Sequence, residues 1–444
     1  MTPTNDVEHS SERGSGAGRR FVPDGPSVRN GRRARMRKGR GSAALVVAGV
    51  VVALAFAPIS SGSTGRSAGA VPAPGGSAAA TAGAATAGSG WDGTVSLVDD
   101  GSGADTGPQP AQPPVEKLKP GQKPPQFVVF SWDGAPENDS HLLASLRALA
   151  GRDNARMTFF LRGIDLLPSE KQSLYQPSPH NPGTAVRLPT ADQVQATLAQ
   201  LGKAWLDGDE IATGFNGAFC GSQGAGAWTT ADWANEIDQA SSFVRFWKTD
   251  TGLTDLPPLP FDYQYELVGG RAPCQEGAAN RHAAEQSFGW RYDASSPGGA
   301  PAWPDQQDGI WNFPLQHLPY PGRASGVLST DSDFLAVQSA GRSEGDPSAY
   351  PAWEQQTRDA YLAAFQHAYD GDRAPLFIGT HLEEWNGGSY VHAAEDVMSA
   401  VCRREGVRCV SYRQLADWLD AQDPAVLSHL RAEGAGSAGG TRDV

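Results

Sequence analysis

Cysteine is scarce in this chain of 444 residues, and its spacing excludes the common zinc-binding patterns. The four cysteines are all separated by more than the two residues typical of a zinc ribbon or finger. We therefore expect two disulfides, which form in the oxidising compartments that receive exported proteins. Cys402 and Cys409 are the easier pair, because they flank a predicted helix end and the next strand. Cys220–Cys274 follows by elimination, although sequence alone leaves the other two connectivities open.

Basic residues are scarce outside the N-terminal region. The chain carries 36 Lys and Arg against 49 Asp and Glu, a net charge of −13, and ten of the basic residues lie within residues 1–40. The rest of the chain is therefore strongly acidic and would repel nucleic acid, so no nucleic-acid partner is expected. Residues 1–40 are predicted to be a disordered, basic cytoplasmic tail.

Long apolar runs are missing except at residues 41–60, which contain no charged side chain. This length is close to the roughly 20 residues that cross a bilayer, and the basic tail before it is typical of the cytoplasmic side. The sequence thus predicts a single-pass signal anchor in the cell membrane with the remainder extracellular. A cleaved signal peptide, which would leave the protein secreted, is the alternative because small residues flank Phe56 at cleavage-like spacing. Pro58 directly after them argues against cleavage there.

Bulky apolar residues are almost absent from residues 61–125, where Ala, Gly, Pro and Ser dominate. Such a composition cannot bury a core, so we predict a disordered linker. Residues 422–444 are predicted to be a C-terminal tail that is mostly disordered. These boundaries leave one globular domain at residues 126–421.

Short apolar runs alternate with helical patterns across this domain. Residues 127–130 and 157–161 are continuous apolar runs typical of buried strands. Thr190 and Gln193 form a predicted capping box before a helix with apolar residues at helical spacing. Further helices are predicted over 230–247, 278–288, 353–369 and 390–404, and further strands over 210–212, 267–269, 290–292, 310–313, 376–378 and 407–411. The alternation predicts an α/β fold with a parallel sheet, most simply a barrel.

In a barrel of this kind, functional side chains come from the loops after the strands. The candidates in those loops are Trp132, Asp133, Gly214, Asn216, Ala218, Arg271, Pro273, Cys274, His381 and Trp385. Their order and spacing resemble the motifs of the polysaccharide deacetylases of carbohydrate esterase family 4, over about residues 127–420. The C-terminal stretch is similar to an actinobacterial and fungal branch of deacetylase-like proteins.

This resemblance implies a distorted (β/α)7 barrel and the hydrolysis of N-acetyl groups on chitin-like or peptidoglycan sugars, with a divalent metal bound by one aspartate and two histidines. The family's catalytic base and its metal-binding aspartate correspond to Trp132 and Asp133. The two metal-binding histidines correspond to Gly214 and Ala218.

The remaining motifs of the family are better matched. Arg271 and Pro273 stand where the family has Arg-x-Pro, with Cys274 at the place of an aromatic residue. His381 corresponds to the general acid. The resemblance therefore implies catalytic roles for Asp133, Arg271 and His381.

The missing residues change the expected function. Glycine and alanine side chains bind no metal, a lone Asp133 holds zinc weakly, and the indole of Trp132 cannot accept a proton. We expect a pseudoenzyme with no cofactor that binds cell-wall polysaccharide, with Trp132, Asn216, Pro273, Cys274 and Trp385 as substrate contacts. Placing histidines at 214 and 218 is expected to restore metal binding.

Two enzymatic alternatives remain open. In the first, the protein is an active deacetylase that holds zinc or another divalent metal through substituted ligands. The candidate ligands are Asp209, Glu210, Asn216, His282 and His317. In the second, Glu383 and Glu384 serve as the paired carboxylates of a glycosidase, although adjacent residues usually diverge.

Overall fold

The computed structural model describes residues 95–119, 121–181 and 186–438, all within the compact unit formed by residues 86–444. The predicted cytoplasmic tail, signal anchor and first part of the linker lie outside these ranges. Within them, no helix has the length and apolar character needed to span a bilayer.

The secondary structure alternates as the sequence predicts. The strands of the described residues are β1 (Ser96–Val98), β2 (Gly103–Asp105), β3 (Gln126–Asp133), β4 (Met157–Leu161), β5 (Glu210–Thr213), β6 (Gly269–Gly270), β7 (Tyr292–Asp293), β8 (Asp305–Gln307), β9 (Ile310–Asn312), β10 (His317–Tyr320), β11 (Arg323–Leu328), β12 (Leu376–His381) and β13 (Val407–Cys409). The helices are α1 (Leu142–Asp153), α2 (Ala191–Asp207), α3 (Thr230–Arg245), α4 (Trp247–Thr251), α5 (Tyr263–Glu266), α6 (Ala278–Ser287), α7 (Asp331–Gln338), α8 (Tyr350–Asp370), α9 (Trp385–Val401), α10 (Tyr412–Ala421) and α11 (Pro424–Ala438). The capping box of Thr190 and Gln193 is present at the start of α2.

The main sheet is parallel along most of its width. Its strands follow the order β12-β3-β4-β5-β6-β7-β9-β8, with β13 also paired to β3, and β8 is the antiparallel strand at one edge. Because the other pairs are parallel, the carboxyl ends of β12, β3, β4 and β5 lie at the same edge of the sheet. This is the edge at which α/β proteins place their functional loops.

The sheet is curled, and its β12 edge is joined by side-chain hydrogen bonds and an isolated bridge to residues that flank β10 and β11. Gln316 donates a hydrogen bond through Nε2 to the Pro375 carbonyl (2.8 Å) and accepts one at Oε1 from the Phe377 amide (3.1 Å). Thr330 forms an isolated parallel bridge with Gly379. The architecture is thus a curled half-barrel of the α/β class, which confirms the predicted α/β fold with a mostly parallel sheet.

Successive residues of β3 enter different cores, as the alternation of side chains along a strand requires. Val128 and Phe130 join the cluster formed with α1, α2, α8 and α9, whereas Phe127 and Val129 join the cluster that contains Tyr412 of α10. All four β3 side chains are essentially inaccessible to solvent.

The cluster that contains Phe127, Val129 and Tyr412 is the inner cluster, and Tyr412 lies at its centre. Its ring centroid is 5.3 to 5.7 Å from those of Phe160, Tyr292, Phe313 and Phe377, which come from strands β4, β7 and β12 and from the residue after β9. Burying aromatic rings in tilted and stacked pairs of this kind contributes both apolar area and ring-ring attraction. Helix α10, which the sequence patterns did not predict, therefore fills the inside of the curled sheet.

The predicted linker is wrong from Val95 onward. Ser102 is buried, and its carbonyl accepts a hydrogen bond from the Trp247 indole (2.8 Å). Gln109 donates hydrogen bonds to the carbonyls of Trp205 (2.9 Å) and Asp209 (2.7 Å). A segment with few bulky apolar residues still packs on the domain here, because it docks mainly through backbone and amide hydrogen bonds rather than through a core of its own.

The predicted C-terminal tail also needs correction. Residues 424–438 form α11, in which Leu427 and Leu430 are buried against the inner cluster. The Arg431 guanidinium donates a hydrogen bond to the Pro304 carbonyl (2.7 Å). Two leucines three residues apart on one helical face are enough to hold this helix on the domain.

Both disulfides are formed with the predicted pairing. Cys220–Cys274, the long-loop disulfide, joins residues 54 positions apart, and Cys402–Cys409, the short-loop disulfide, joins residues 7 positions apart.

Candidate functional site

Asp133 and His381 lie side by side at the carboxyl edge of the sheet, where β3 and β12 place them opposite each other in the parallel register. Trp132 precedes Asp133, so its side chain points to the other face of β3. It is 1% exposed, and its indole N–H donates to the Met157 sulfur (3.1 Å). The prediction that Trp132 contacts a substrate is therefore wrong, because the alternation of the strand directs it into the core.

Asp133 is held by a buried arginine. Nη1 of Arg271 donates to Asp133 Oδ1 (3.1 Å), Nε donates to the Ala294 carbonyl (3.2 Å) and Nη2 donates to the Tyr412 hydroxyl (2.9 Å). The guanidinium also lies over the Phe160 ring at 4.5 Å. Since Arg271 is 4% exposed and all three of its nitrogens are engaged, it orients the Asp133 carboxylate and does not reach a ligand itself.

His381 forms a second charged pair. Its Nδ1 lies 2.8 Å from Oδ1 of Asp331, and its backbone N–H donates to Oδ2 of the same carboxylate (2.7 Å). Burial lowers the pKa of His381, but the attraction and hydrogen bond of Asp331, together with the charge of Asp133, outweigh burial and raise the pKa to about 9. His381 is therefore an imidazolium at neutral pH. The Trp385 ring lies 4.6 Å from the His381 ring, so these two predicted site residues are in contact.

The loop after β5 is where the resemblance places two metal-binding histidines. A Cβ atom on Gly214 would lie 2.5 Å from the Phe160 carbonyl oxygen, a distance that side chains do not tolerate. The next residue, Phe215, is buried with a φ of 59°, in the left-handed region. Ala218 is exposed. A histidine at 214 would not fit this backbone, so the prediction that histidines at 214 and 218 restore a metal site is wrong.

Asn216, in the same loop, is buried, and its side chain is held by hydrogen bonds to Glu236 of α3. Its amide donates to the Glu236 carbonyl (3.0 Å) and carboxylate (2.9 Å), and the Tyr175 hydroxyl bonds both to Glu236 (2.9 Å) and to the Gly217 amide (3.2 Å). Burial raises the pKa of Glu236 to about 7. This network sets the shape of the loop.

A cavity of about 360 Å³ opens beside these groups. Its wall includes Arg162, Asp165, Asn216, Ala218, Leu382 and Glu383. Leu382 and Glu383 directly follow His381, so the cavity adjoins the two charged pairs. Its polar wall carries charges of both signs, which suits an uncharged polar ligand better than an ion.

Arg162 supplies the positive charge of the cavity wall. Its Nη2 donates to Asp165 Oδ1 (2.7 Å) and its Nε to Asp165 Oδ2 (3.3 Å). The charge of Asp165 raises the pKa of Arg162 most, burial opposes it, and the charges of Glu383 and Asp133 raise it further. The side chain is 38% exposed, which leaves part of the guanidinium open to the cavity.

The residues present do not fit a divalent metal ion. Asp133 is engaged with Arg271, the Gly214 backbone admits no side chain, and the Arg162 guanidinium faces the same space. A divalent cation about 4 Å from a guanidinium is repelled by roughly 8 kcal/mol at an effective dielectric constant of about 20. Across the described ranges, no three His, Cys, Asp or Glu side chains form a group that could hold a metal ion.

Among the other predicted site residues, Pro273, Cys274 and Glu384 are not part of the cavity wall. Pro273 and Cys274 are half-buried, and Cys274 is fixed with a φ of 67° by the long-loop disulfide. Glu383 lines the cavity, whereas Glu384 accepts a hydrogen bond from Ser140 (2.6 Å), so these two carboxylates diverge and do not form a glycosidase pair.

Among the replacement metal ligands considered, Asn216 lines the cavity and the others serve elsewhere. Asp209 is buried and accepts the Met157 amide (2.8 Å), and burial raises its pKa to about 7. Glu210 accepts hydrogen bonds from Thr158 (2.9 Å) and Tyr292 (2.8 Å). The last two candidates, His282 and His317, belong to α6 and β10.

Sequence reasoning missed Arg162, Asp165, Asp331 and Tyr412. Arg162 directly follows β4, a strand that the sequence did predict, so including that loop among the candidates would have found it. Asp331 and Tyr412 start helices far along the chain from the residues they contact, and no local pattern links them to the site.

No protein-family model matches the sequence, and none of the curated proteins is significantly similar to it. Solved structures do match. One is a Mycobacterium smegmatis protein with a provisional assignment as a polysaccharide deacetylase, 14% identical over 70% of this chain and 95% of that one, with a TM-score of 0.41. Another is a Bacillus subtilis peptidoglycan deacetylase variant, 10% identical over 71% of this chain and 98% of that one, with a TM-score of 0.35.

A third is a variant of a family 4 pseudoenzyme with restored enzymatic activity, 8% identical over 66% of this chain and 68% of that one, with a TM-score of 0.35. The first two are described as deacetylases and the third as a pseudoenzyme of carbohydrate esterase family 4, the family that the sequence motifs resemble.

Proposed function

We propose that this chain is a membrane-tethered, extracytoplasmic polysaccharide deacetylase-like protein that binds cell-wall glycan and does not carry out metal-dependent deacetylation. The observation that carries this proposal is the close packing at Gly214, where the Phe160 carbonyl oxygen lies 2.5 Å from the position a Cβ atom would take. A loop of this shape cannot present the imidazole that the metal-dependent chemistry of the family needs.

The cavity supports a carbohydrate ligand. Its volume of about 360 Å³ is within the range of small-molecule sites. Arg162 offers hydrogen-bond donors and Glu383 offers acceptors, which together suit sugar hydroxyl and amide groups. Trp385 follows Glu383 of the cavity wall by two residues, and its ring, packed on that of His381, offers an aromatic surface for a sugar ring.

One observation favours the alternative of an active deacetylase with substituted ligands. The pairs Asp133–Arg271 and Asp331–His381 are intact, so the site keeps a carboxylate and an acidic imidazolium next to each other. Elemental analysis of the purified extracellular part, with acetate release measured on chitin oligomers and peptidoglycan, separates the two. Zinc near one equivalent together with steady acetate release would reject the pseudoenzyme proposal.

Binding is tested by calorimetry with chitin oligomers and peptidoglycan fragments. We expect heat of binding for the wild type and weaker binding for Trp385→Ala. Tyr265→Ala is the matched control, since Tyr265 is an aromatic residue of α5 that is 74% exposed and, unlike Trp385, does not pack on His381. No heat with any wall polymer would leave a structural or protein-interaction role.

The tether is tested separately because residues 41–60 lie outside the described ranges. Cells that express the full chain should retain it in the membrane fraction, with the domain open to external protease. A chain whose residues 41–60 are replaced by a cleavable signal should appear in the medium. If cells that express the full chain instead release a shortened product into the medium, the segment is cleaved.

A further inference from the structure

The Arg162 side chain crosses the space between two loops that the family resemblance assigns to metal binding. A Cβ on Gly214 would lie 3.4 Å from Arg162 Cγ, and a Cβ on Gly134, the residue after Asp133, would lie 3.7 Å from Arg162 Nε. Arg162 thus extends from the place of the first missing histidine toward Asp133. Both distances correspond to ordinary van der Waals contact, so the Arg162 side chain packs along the backbone at both loops.

We propose that the Arg162 guanidinium is the resident cation of this pocket, which takes the place of a metal ion and binds an oxygen of the glycan. The proposal rests on the proposed function, because it assigns the glycan to the cavity that Arg162 lines. It goes beyond that function by naming the residue that excludes metal ions and contacts the ligand.

The charges around Arg162 support this role. Three carboxylates act on it: Asp165 through two hydrogen bonds, and Glu383 and Asp133 through their charge. A metal ion would be surrounded by carboxylates in the same way. Arg162 pairs with Asp165 and Arg271 pairs with Asp133, so two of the three carboxylates have a cation from the chain without any metal ion or histidine ligand.

The hydrogen bonds of Arg162 leave one nitrogen for a ligand. Nε and Nη2 are used by Asp165, whereas Nη1 has no hydrogen-bond partner within the ranges the structure describes. A guanidinium needed only for packing would be enclosed, as Arg271 is at 4% exposure, but the Arg162 side chain is 38% exposed at the cavity. Nη1 is therefore positioned to donate to a sugar oxygen.

The first experiment measures binding of acetylated chitotriose by calorimetry to the wild type, Arg162→Ala, Arg162→Lys and the control Arg358→Ala. Arg358 is a surface arginine paired with Asp359 and Asp396, away from the cavity. We expect Arg162→Ala to lose tenfold or more in affinity, Arg162→Lys to lose less, and Arg358→Ala to match the wild type. Guanidinium ion at millimolar, non-denaturing concentration should restore part of the affinity of Arg162→Ala. Unchanged affinity in Arg162→Ala would overturn the ligand contact while leaving the proposed function in place.

The second experiment tests the cation role without any glycan. The wild type and Arg162→Ala are titrated with Mn²⁺, which prefers carboxylate ligands. We expect at least tenfold tighter binding by Arg162→Ala, because Asp165 and Glu383 are then left without a cation from the chain, while Asp133 keeps only Arg271. Equal Mn²⁺ affinity in both proteins would overturn the inference, even if the wild type binds no glycan and the proposed function fails. Should Arg162→Ala misfold, Arg162→Gln replaces it in both experiments, since it keeps most of the aliphatic stem and removes the charge.

Discussion

His381 is held as an imidazolium by one buried carboxylate, and Asp331→Asn should release it. The pKa of His381 is raised to about 9 in the folded protein, and we expect it to fall to about 6.5 or lower in the variant. The reason is geometric as well as electrostatic. An asparagine that still accepts the His381 backbone N–H turns its NH₂ group toward Nδ1, and this group can only be accommodated by an unprotonated ring nitrogen.

The same pair should make the stability of the protein depend on pH. A histidine with a raised folded pKa contributes stability that is fully present below its unfolded pKa, near 6.5, and is lost as pH rises through about 9. Because the His381 side chain is 34% exposed, solvent screening reduces the contribution, and we expect about 2 kcal/mol. Asp331→Asn should abolish this pH dependence.

The assay is an NMR titration of the histidine ring protons, combined with urea unfolding at about pH 6 and about pH 9.5. The chain has nine histidines, so His381→Gln identifies the relevant signal. The matched control is Glu354→Gln, which removes the carboxylate beside the exposed His392 at 3.5 Å. A His381 pKa that stays above about 8 in Asp331→Asn would refute the reasoning, because some other group would then hold the proton.

Three further predictions concern stability and are measured by urea unfolding. Arg271→Gln should cost about 3 to 5 kcal/mol, since it breaks a buried ion pair, whereas Arg291→Gln, at a half-exposed pair, should cost less than about 1 kcal/mol. Opening the long-loop disulfide by Cys→Ser substitution should cost about 4 kcal/mol, and opening the short-loop disulfide about 2.5 kcal/mol. The costs differ because the two bridges join residues 54 and 7 positions apart, and a longer loop loses more entropy in the unfolded chain when it is closed. Equal costs would contradict this loop-entropy account. A chain that begins at residue 126 should unfold at lower urea concentration than one that begins at residue 95. The shorter chain lacks the hydrogen bonds that Ser102 accepts from Trp247 and Lys248. Coincident unfolding curves would show that the N-terminal segment adds no stability.

Local patterns predicted the strands of the sheet more accurately than the segments at the N-terminal and C-terminal ends of the domain. The run at β4 and the capping box of α2 are local signals, and both appear in the structure at the predicted residues. The segment at residues 95–119 and helix α11 carry weak local signals and are ordered by contacts with distant parts of the chain. Patterns within a window of sequence cannot report such contacts.

The site shows the same limit. Asp133, Arg271 and His381 could be named from motif spacing, and the structure brings them to one edge of the sheet. Trp132 could not be placed correctly from the motif, because adjacent strand residues face opposite sides. Asp331 could not be found, because its pairing with His381 joins residues 50 positions apart.

The pocket differs from a metal site in how its charges are balanced. In a metal site the carboxylates outnumber the protein's own cations, and the ion supplies the difference. Here the three carboxylates at the centre each have a cation from the chain: Asp133 pairs with Arg271, Asp331 with His381, and Asp165 with Arg162. Adding a divalent ion to these pairs would leave its charge uncompensated except by Glu383, which is exposed at the rim. A polar, uncharged ligand meets no such imbalance, and for this reason the charge pattern favours a glycan over an ion.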